Sequence, residues 1–261
     1  MTKQTPGDRL PRTVLVTGAG RRIGRAIARD LGRHGWAVAL HYHRSIAAAE
    51  DVAQEIRAAG GTACTLAADL SRETEVVDLV ERAVEALGPV GCLVNNASLF
   101  EDDTVHTATR ESWDAHMEIN LRAPFVLTQH FARQGPALCS GVVINIIDQR
   151  VWNVTPYFAS YTLSKAGLWS LTRMLALALA PRIRVNAIGP GPTLPSARQT
   201  PEQFRRQCGS MPLRRGTTPE EITAAVRFII GAPAMTGQMI ALDGGQHLAW
   251  AHSGEDDVPA E

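Results

Sequence analysis

The chain has 261 residues, of which 45% are hydrophobic, 20% charged and 5% aromatic. Twenty-six basic residues balance twenty-six acidic ones, so no net charge favours nucleic acid or an anionic membrane as a partner. The longest apolar runs are far too short to cross a bilayer, and the polar residues 1–11 lack the apolar core of a secretion signal. The four cysteines form no CxxC pair and have no histidine at ligand spacing. The composition therefore predicts a cytoplasmic globular protein without a metal site.

Apolar periodicity divides the chain into alternating strands and helices. Short apolar runs of strand length predict strands over residues 13–16, 36–42, 62–67, 92–95, 142–147, 183–188 and 238–242. Apolar residues three or four positions apart predict helices that start near residues 23, 49 and 76 and end at glycines 35, 60 and 88, a long helix over 158–180, and a last helix after the capping residue Thr218. Such alternation implies crossover connections. We expect an α/β fold with a doubly wound parallel sheet of about seven strands and helices on both faces.

No linker rich in glycine or proline divides the chain, and no internal repeat is present. We therefore expect one domain over residues 12–250, with an N-terminal extension at 1–11 and a flexible tail at 251–261. The segment 194–216 interrupts the alternation and is rich in Pro, Arg and Gln. Its position in the chain predicts a loop that covers a substrate.

A glycine turn follows the first predicted strand. Gly18, Gly20 and Gly24 are spaced as GxGxxxG, one residue longer than the dinucleotide fingerprint. Backbone N–H groups in such a turn can approach a pyrophosphate, and the positive end of the next helix favours it. The alternative is a turn whose glycines serve only close packing. The position of the turn after the first strand favours a nucleotide site, because ligands of such sheets bind at the carboxyl ends of strands.

The end of the second predicted strand indicates which dinucleotide is preferred. A 2′-hydroxyl is usually held there by Asp or Glu, whereas a 2′-phosphate needs cations. The sequence at residues 41–45 is HYHRS, without a carboxylate. Arg44 and Ser45 can hold phosphate oxygens, and Arg21 lies in the glycine turn. This pattern predicts NADP(H); the alternative is that Arg44 is only a solvated loop residue.

Tyr161 and Lys165 lie four residues apart in the long predicted helix, on one face. A neighbouring cation stabilises a phenolate and lowers the pKa of a tyrosine toward a range useful for proton transfer. A tyrosine and a lysine four residues apart are common by chance, so the pair alone does not indicate a catalytic site.

The motifs occur together in one order: the turn at 18–24, Asn95-Asn96-Ala97-Ser98, Asn120, the Tyr161/Lys165 pair, and Pro190-Gly191. This order resembles the short-chain dehydrogenase/reductase family over about residues 12–248. The resemblance implies a single-domain Rossmann fold and an NADP-dependent oxidoreductase that forms homotetramers. It also implies that Tyr161 donates the proton, that Lys165 holds the nicotinamide ribose, and that Asn120 anchors a relay water through its backbone.

The resemblance further implies a set of residues that contact NADP(H), with Asp69 meeting the adenine amino group. These are Gly18, Arg21, Arg22, Ile23, Gly24, His43, Arg44, Ser45, Asp69, Leu70, Asn95, Ala97, Ser98, Tyr161, Lys165, Pro190, Gly191 and Thr193. Thr193 departs from the commoner family pattern, in which the threonine comes later after Pro-Gly.

Asp148 is the most informative departure from the family. Most members have a serine thirteen residues before the tyrosine, and that serine donates a hydrogen bond to the substrate oxygen. An ionised aspartate cannot donate and would repel a developing oxyanion. A carboxyl group that is protonated, or that passes protons through Tyr161, instead suits the reduction of a C=N bond, in which the ring nitrogen receives a proton. Asp148 therefore predicts an imine-like ring substrate.

Further residues resemble the pteridine reductases of the family. They are Arg22, the HYHRS segment, Asp148, and Phe100 shortly after the NNAS motif. The resemblance implies that Phe100 stacks on a pterin or other heterocycle, and that Arg22, Ser98, Phe100, Asp148 and Tyr161 contact this substrate. Two alternatives stay open: a carbonyl reductase or alcohol dehydrogenase for another small molecule, and a non-catalytic NADP-binding regulator.

Overall fold

Seven parallel strands form one sheet in the order β3-β2-β1-β4-β5-β6-β7. The computed structural model describes residues 10–135, 140–196 and 198–248. The strands are β1 Thr13–Val16, β2 Ala37–Tyr42, β3 Ala63–Ala67, β4 Cys92–Asn95, β5 Gly141–Ile146, β6 Ile183–Pro190 and β7 Met239–Leu242. The predicted doubly wound sheet is confirmed. The predicted tail and nearly all of the predicted N-terminal extension lie outside the described residues.

Nine α-helices connect these strands in the part of the chain that is described. They are α1 Arg22–Arg33, α2 Ile46–Ala58, α3 Glu73–Val76, α4 Leu79–Leu87, α5 Arg110–Met117, α6 Ala123–Ala132, α7 Ala159–Leu179, α8 Pro201–Gly209 and α9 Pro219–Gly231. A π-helical turn, Glu118–Arg122, joins α5 to α6. None of the described helices has the length and apolar character that a membrane crossing requires.

Three differences from the predicted helices have physical reasons. The helix predicted from about residue 76 to Gly88 corresponds to α4, and a separate short helix, α3, precedes it; Val77 and Asp78 between them keep right-handed helical dihedrals. The region between β4 and β5, for which no helix was predicted, contains α5 and α6. The predicted covering loop contains α8, which was not predicted because none of its residues is buried. Thr200 caps α8.

Both faces of the sheet are buried. Along β1, Leu15 packs into the core on one face, and Val14 and Val16 pack into the core on the other. The first core contains residues of α4, α6 and α7, and the second contains residues of α1, α2 and α9. The chain leaves β1 toward β2 on one side, and β4 lies on the other. A crevice for ligands is expected at the carboxyl ends of β1 and β4, where the strand order reverses.

Candidate active site

A cavity of about 570 Å³ opens at the carboxyl ends of the central strands. Its walls come from the glycine turn after β1, the segments after β4, β5 and β6, the first turns of α7, and the covering segment 194–216. Most of the residues predicted to contact cofactor or substrate line it. They are Gly18, Arg21, Arg22, Ile23, Gly24, Ala97, Ser98, Phe100, Asp148, Tyr161, Lys165, Pro190, Gly191 and Thr193.

Two positions of the glycine turn exclude a side chain. Gly18 has φ +63°, and a Cβ on Gly24 would lie 2.2 Å from the carbonyl oxygen of Gly18. His41, at the end of β2, accepts a hydrogen bond from the Gly18 N–H (3.1 Å) and bonds the carbonyl of Ala68 through Nε2 (3.0 Å). Burial lowers the pKa of His41 to about 4, so the ring is neutral at pH 7. This histidine, which sequence reasoning did not select, fixes the turn to β2.

Arg22 joins the glycine turn to the covering segment. Its guanidinium donates hydrogen bonds to the carbonyls of Pro195 (2.7 Å) and Leu194 (3.0 Å). Arg22 also has a positive φ of 52°, which is unfavourable for a residue with a side chain. The strained backbone thus directs this arginine at the segment across the cavity.

The residues predicted to contact the adenosine half lie at the ends of β2 and β3, outside the cavity lining. His43 and Arg44 are exposed, and His43 Nε2 lies 3.5 Å from Asp69 Oδ2. Burial raises the pKa of Asp69, but hydrogen bonds from Ser71 outweigh it and lower the pKa. Asp69 is therefore ionised at pH 7. Leu70 is buried in the core. The predicted contacts of these residues and of Ser45 stay predictions.

The two asparagines after β4 have different environments. Asn95 is buried, and its side chain donates to Asn145 (2.8 Å) within the sheet. Asn96, which was not predicted as a site residue, lines the cavity. Its amide donates to the carbonyl of Thr17 (2.8 Å), and it belongs to the same NNAS motif. The side chain of Asn95 therefore supports the sheet, whereas Asn96 braces the glycine turn.

Asn120 lies in the π-helical turn and is buried. Its Oδ1 accepts hydrogen bonds from Leu99 N (2.8 Å) and Ser98 Oγ (3.1 Å), and its Nδ2 donates to Ser164 Oγ (3.0 Å). The side chain thus ties the segment after β4 to α7. The relay role predicted for its backbone stays a prediction.

Tyr161, Asp148 and Lys165 meet beside the end of β5. The Tyr161 hydroxyl donates to Asp148 Oδ2 (2.9 Å), and Asp148 Oδ1 accepts from the N–H of Arg150 (2.8 Å). Lys165 is buried, and its ammonium donates to the carbonyl of Ile146 (2.9 Å). Burial lowers the pKa of Lys165 to about 8, although the charge of Asp148 opposes this shift. The structure therefore brings the three predicted catalytic side chains into one cluster.

Phe100 forms an aromatic wall next to the tyrosine. Its ring stacks on Phe158 (4.6 Å between centroids, 9° between planes) and meets Tyr161 edge-on (4.6 Å, 74°). The guanidinium of Arg150 lies 5.5 Å from the Phe100 centroid and 4.8 Å from that of Phe158. Sequence reasoning missed Phe158 and Arg150, because their spacing from Phe100 along the chain gives no signal of contact.

The covering segment also reaches this wall. Arg198 donates to the carbonyl of Phe100 (2.9 Å) and to the Glu101 carboxylate (2.7 Å). At the base of the segment, Thr193 Oγ1 donates to the carbonyl of Gly191 (2.9 Å). Arg22 and Arg198 therefore tie the segment to the glycine turn and to the loop after β4.

Comparisons with known proteins show the family to which this chain belongs. The family model described as enoyl-(acyl carrier protein) reductase matches residues 18–247. The chain belongs to the short-chain dehydrogenase/reductase family. A short-chain relative, the 3-oxoacyl-[acyl-carrier-protein] reductase of Synechocystis, is 34% identical over 237 residues, which cover 88% of this chain and 95% of that protein.

Two solved structures are more similar in sequence. FolM alternative dihydrofolate reductase 1 of Brucella suis, in complex with NADP, is 51% identical and superposes with a TM-score of 0.89, covering 94% of this chain and 98% of that one. The Brucella canis protein of the same description, also with NADP, is 48% identical with a TM-score of 0.88, covering 96% and 100%. NADP(H), the cofactor predicted for this short-chain reductase, is present in both neighbours.

Proposed function

We propose that this protein is an NADPH-dependent reductase of a pterin-like substrate, of the dihydropteridine or dihydrofolate class. The observation that carries the proposal is the 2.9 Å hydrogen bond from the Tyr161 hydroxyl to Asp148, in a cavity that also contains Lys165 and Phe100. The similarity to the Brucella dihydrofolate reductases supports the same substrate class.

The residues of this chain fit a dinucleotide phosphate. The glycine turn exposes backbone N–H groups at the start of α1, beside Arg21 and Arg22. The segment after β2 offers His43, Arg44 and Ser45 and no carboxylate to repel a 2′-phosphate. When bound, NADPH supplies the hydride that reduces a ring carbon.

The side chains at the site have separate roles in proton transfer and in substrate binding. Lys165 brings a buried positive charge to the tyrosine side of the cavity and stabilises a phenolate there. Asp148, when protonated, can donate to a ring nitrogen, and the Tyr161 hydroxyl at 2.9 Å can return the proton to the carboxylate. Phe100 offers a flat apolar face to a heteroaromatic ring. The covering segment, held by Arg22 and Arg198, excludes water from the site.

A substrate panel tests the proposal. NADPH oxidation is followed with 7,8-dihydropterins, quinonoid dihydropterins, dihydrofolate, cyclic imines and simple ketones under identical conditions. We expect turnover with at least one dihydropterin or dihydrofolate at a higher kcat/KM than with any ketone. Turnover of ketones with none of the pterins would contradict the proposal.

A carbonyl reductase is the second candidate. The Synechocystis relative is named as a 3-oxoacyl-[acyl-carrier-protein] reductase, and the tyrosine hydroxyl and lysine alone can protonate a ketone oxygen. Asp148 disfavours this candidate, because it replaces the serine whose hydroxyl donates to the substrate oxygen in most of the family. The same panel distinguishes the two functions.

Arg44→Asp should reverse the cofactor preference. If the exposed Arg44 holds the 2′-phosphate, an aspartate at this position would repel the phosphate and accept a hydrogen bond from a 2′-hydroxyl. We expect the ratio of Kd for NADPH to Kd for NADH to rise by about tenfold or more. Arg33→Asp, at the far end of α1, is the matched control. An unchanged ratio in Arg44→Asp would show that this arginine does not select the cofactor.

We infer that the protein forms a homotetramer through its long helices. Along α7, Leu163, Met174 and Leu177 are at least half exposed (50%, 53% and 84%), and a second, largely apolar hollow runs between this helix and Phe125 of α6. Burial of apolar surface drives such association. Light scattering coupled to size exclusion should give the mass of four chains; a monomer mass would contradict the inference.

A further inference from the structure

The first turn of α7 is capped from outside the helix. Tyr161 is the third residue of α7, and the N-cap position is Phe158, which has a left-handed backbone (φ 56°) and makes no side-chain cap. The first N–H groups of any helix lack intrahelical partners. Asp103 satisfies two of them: its carbonyl accepts from Ala159 N (3.0 Å), and its Oδ1 accepts from Ser160 N (2.9 Å).

We propose that Asp103 is a positioning residue for Tyr161. It caps α7 from the loop that carries Phe100, and it thereby fixes the tyrosine hydroxyl against Asp148. The proposal rests on the catalytic role proposed for Tyr161. Asp103 does not line the cavity, so it can act on the reaction only through the residues that it holds.

The carboxylate of Asp103 is buried and charged. Its Oδ2 accepts hydrogen bonds from the hydroxyls of Ser160 and of Ser112 (3.0 Å). Burial raises the pKa of Asp103, but these hydrogen bonds outweigh it and hold the pKa below its ordinary value. A negative charge at the start of a long helix is stabilised by the helix dipole. Asp103 therefore joins α5, through Ser112, to the first turn of α7.

His116 completes the connection as a neutral group. Its Nε2 accepts from the N–H of Glu101 (3.2 Å), so the proton is on Nδ1. That nitrogen faces the carbonyl of Ser112 (2.9 Å) and Ser160 Oγ (2.7 Å). Burial lowers the pKa of His116, which favours this neutral form. The Ser–His–Asp set resembles a hydrolase triad in composition, but Ser160 is fully buried and no substrate can reach its hydroxyl.

The network fixes the aromatic wall together with the tyrosine. His116 accepts a hydrogen bond from the N–H of Glu101, and Asp103 is bonded to the first turn of α7. Phe100 directly precedes Glu101, so these two contacts also restrain Phe100. Phe100 in turn stacks on Phe158, and its ring meets Tyr161 edge-on. Loss of the cap would therefore displace Tyr161 relative to both Asp148 and the substrate wall.

The test uses two variants that separate shape from charge. Asp103→Asn removes the charge but keeps an Oδ1 acceptor for the N–H of Ser160, and its amide can donate to the serine hydroxyls. Asp103→Glu keeps the charge but places it one methylene further, where the cap geometry is lost. Asp102→Asn, at an exposed neighbouring position, is the control. Asp103→Ala replaces the glutamate variant if that one does not fold.

Two quantities are measured in each variant: the pKa of Tyr161 and kcat. The pKa is obtained by following tyrosinate absorbance against pH in the NADP⁺-bound enzyme and subtracting the same curve for Tyr161→Phe. We expect the Tyr161 midpoint to move by about half a pH unit or more in Asp103→Glu and to stay at the wild-type value in Asp103→Asn. We also expect kcat to fall by about tenfold or more in Asp103→Glu, with the Kd of NADPH unchanged.

A shift in Asp103→Asn with none in Asp103→Glu would mean that the charge alone acts, and it would overturn the positioning role. Wild-type midpoints and kcat in both variants would overturn it as well. The titration needs no substrate, so it tests the role of Asp103 even if the wild-type enzyme reduces no pterin. Absence of pterin reduction would contradict only the proposed substrate class.

Discussion

Asp148→Ala should lower kcat for dihydropterin reduction by roughly 10²–10⁴-fold, the usual contribution of a general acid. The variant removes the carboxyl group that receives the hydrogen bond of the Tyr161 hydroxyl at 2.9 Å. Hydride delivery to carbon leaves a ring nitrogen that needs a proton, and without Asp148 the tyrosine lacks its partner for that transfer. Steady-state kinetics at saturating NADPH measure the loss.

Asp148→Asn is the matched control for the shape of the site. An asparagine can still accept hydrogen bonds from the N–H of Arg150 and from the tyrosine hydroxyl, but it carries no acidic proton. We expect the Kd of NADPH to be unchanged in both variants and kcat to be low in both. Recovery of wild-type kcat in Asp148→Asn would show that the carboxyl group only positions Tyr161.

Lys165→Met should abolish most of the activity while it leaves the protein as stable or more stable. The methionine fills a similar volume but carries no charge, so the phenolate of Tyr161 loses its nearby cation. We expect kcat to fall by about 10²-fold or more. Burial of the ammonium lowers its pKa from 10.5 to about 8, which means that the charged form destabilises the folded state.

The stability effect has a defined pH dependence. Below pH 8 the lysine is charged in both the folded and unfolded states, and the folded state carries the full cost of burying the charge. Between about pH 8 and 10.5 the unfolded state binds more protons, so wild-type stability rises with pH. Loss of the hydrogen bond to the carbonyl of Ile146 opposes the gain in Lys165→Met by about 1–3 kcal/mol.

Calorimetry at pH 7 and pH 10 measures both effects. We expect the free energy of unfolding of Lys165→Met to equal or exceed that of wild type at pH 7 by up to about 2 kcal/mol. At pH 10 the free energy of unfolding of wild type should increase relative to that of Lys165→Met, because the buried lysine is then neutral. If Lys165→Met were much less stable than wild type at pH 7, and by the same amount at pH 10, the buried ammonium could not be destabilising the folded state.

The fold could be predicted because each strand and most helices carry their own local signal. The runs at Thr13–Val16 and Cys92–Asn95 have the predicted bounds, since both faces of the sheet are covered and every residue of the strands is apolar or buried. The last helix begins as predicted, with Thr218 as N-cap and Glu221 completing a capping box. The order of the motifs then placed Asp148, Tyr161 and Lys165 in one site.

Long-range contacts were not predictable from local patterns. Asp103 caps a helix that begins 56 positions later in the chain, and Arg22 bonds carbonyls more than 170 residues away. Phe158 joins Phe100 through a left-handed backbone that sequence periodicity does not register. These residues hold the site together through tertiary packing, whereas the predicted residues are those whose chemistry is visible from their type and spacing.

The most direct test of the proposed chemistry is the substrate preference of Asp148→Ser, which restores the hydroxyl that is common in the family. The ratio of kcat/KM for a dihydropterin to kcat/KM for a ketone is measured in wild type and in this variant. If the carboxyl group supplies the proton to a ring nitrogen, the ratio falls by about 100-fold or more in Asp148→Ser, mainly through loss of pterin reduction. An unchanged ratio would contradict the role of Asp148 in selecting a C=N substrate.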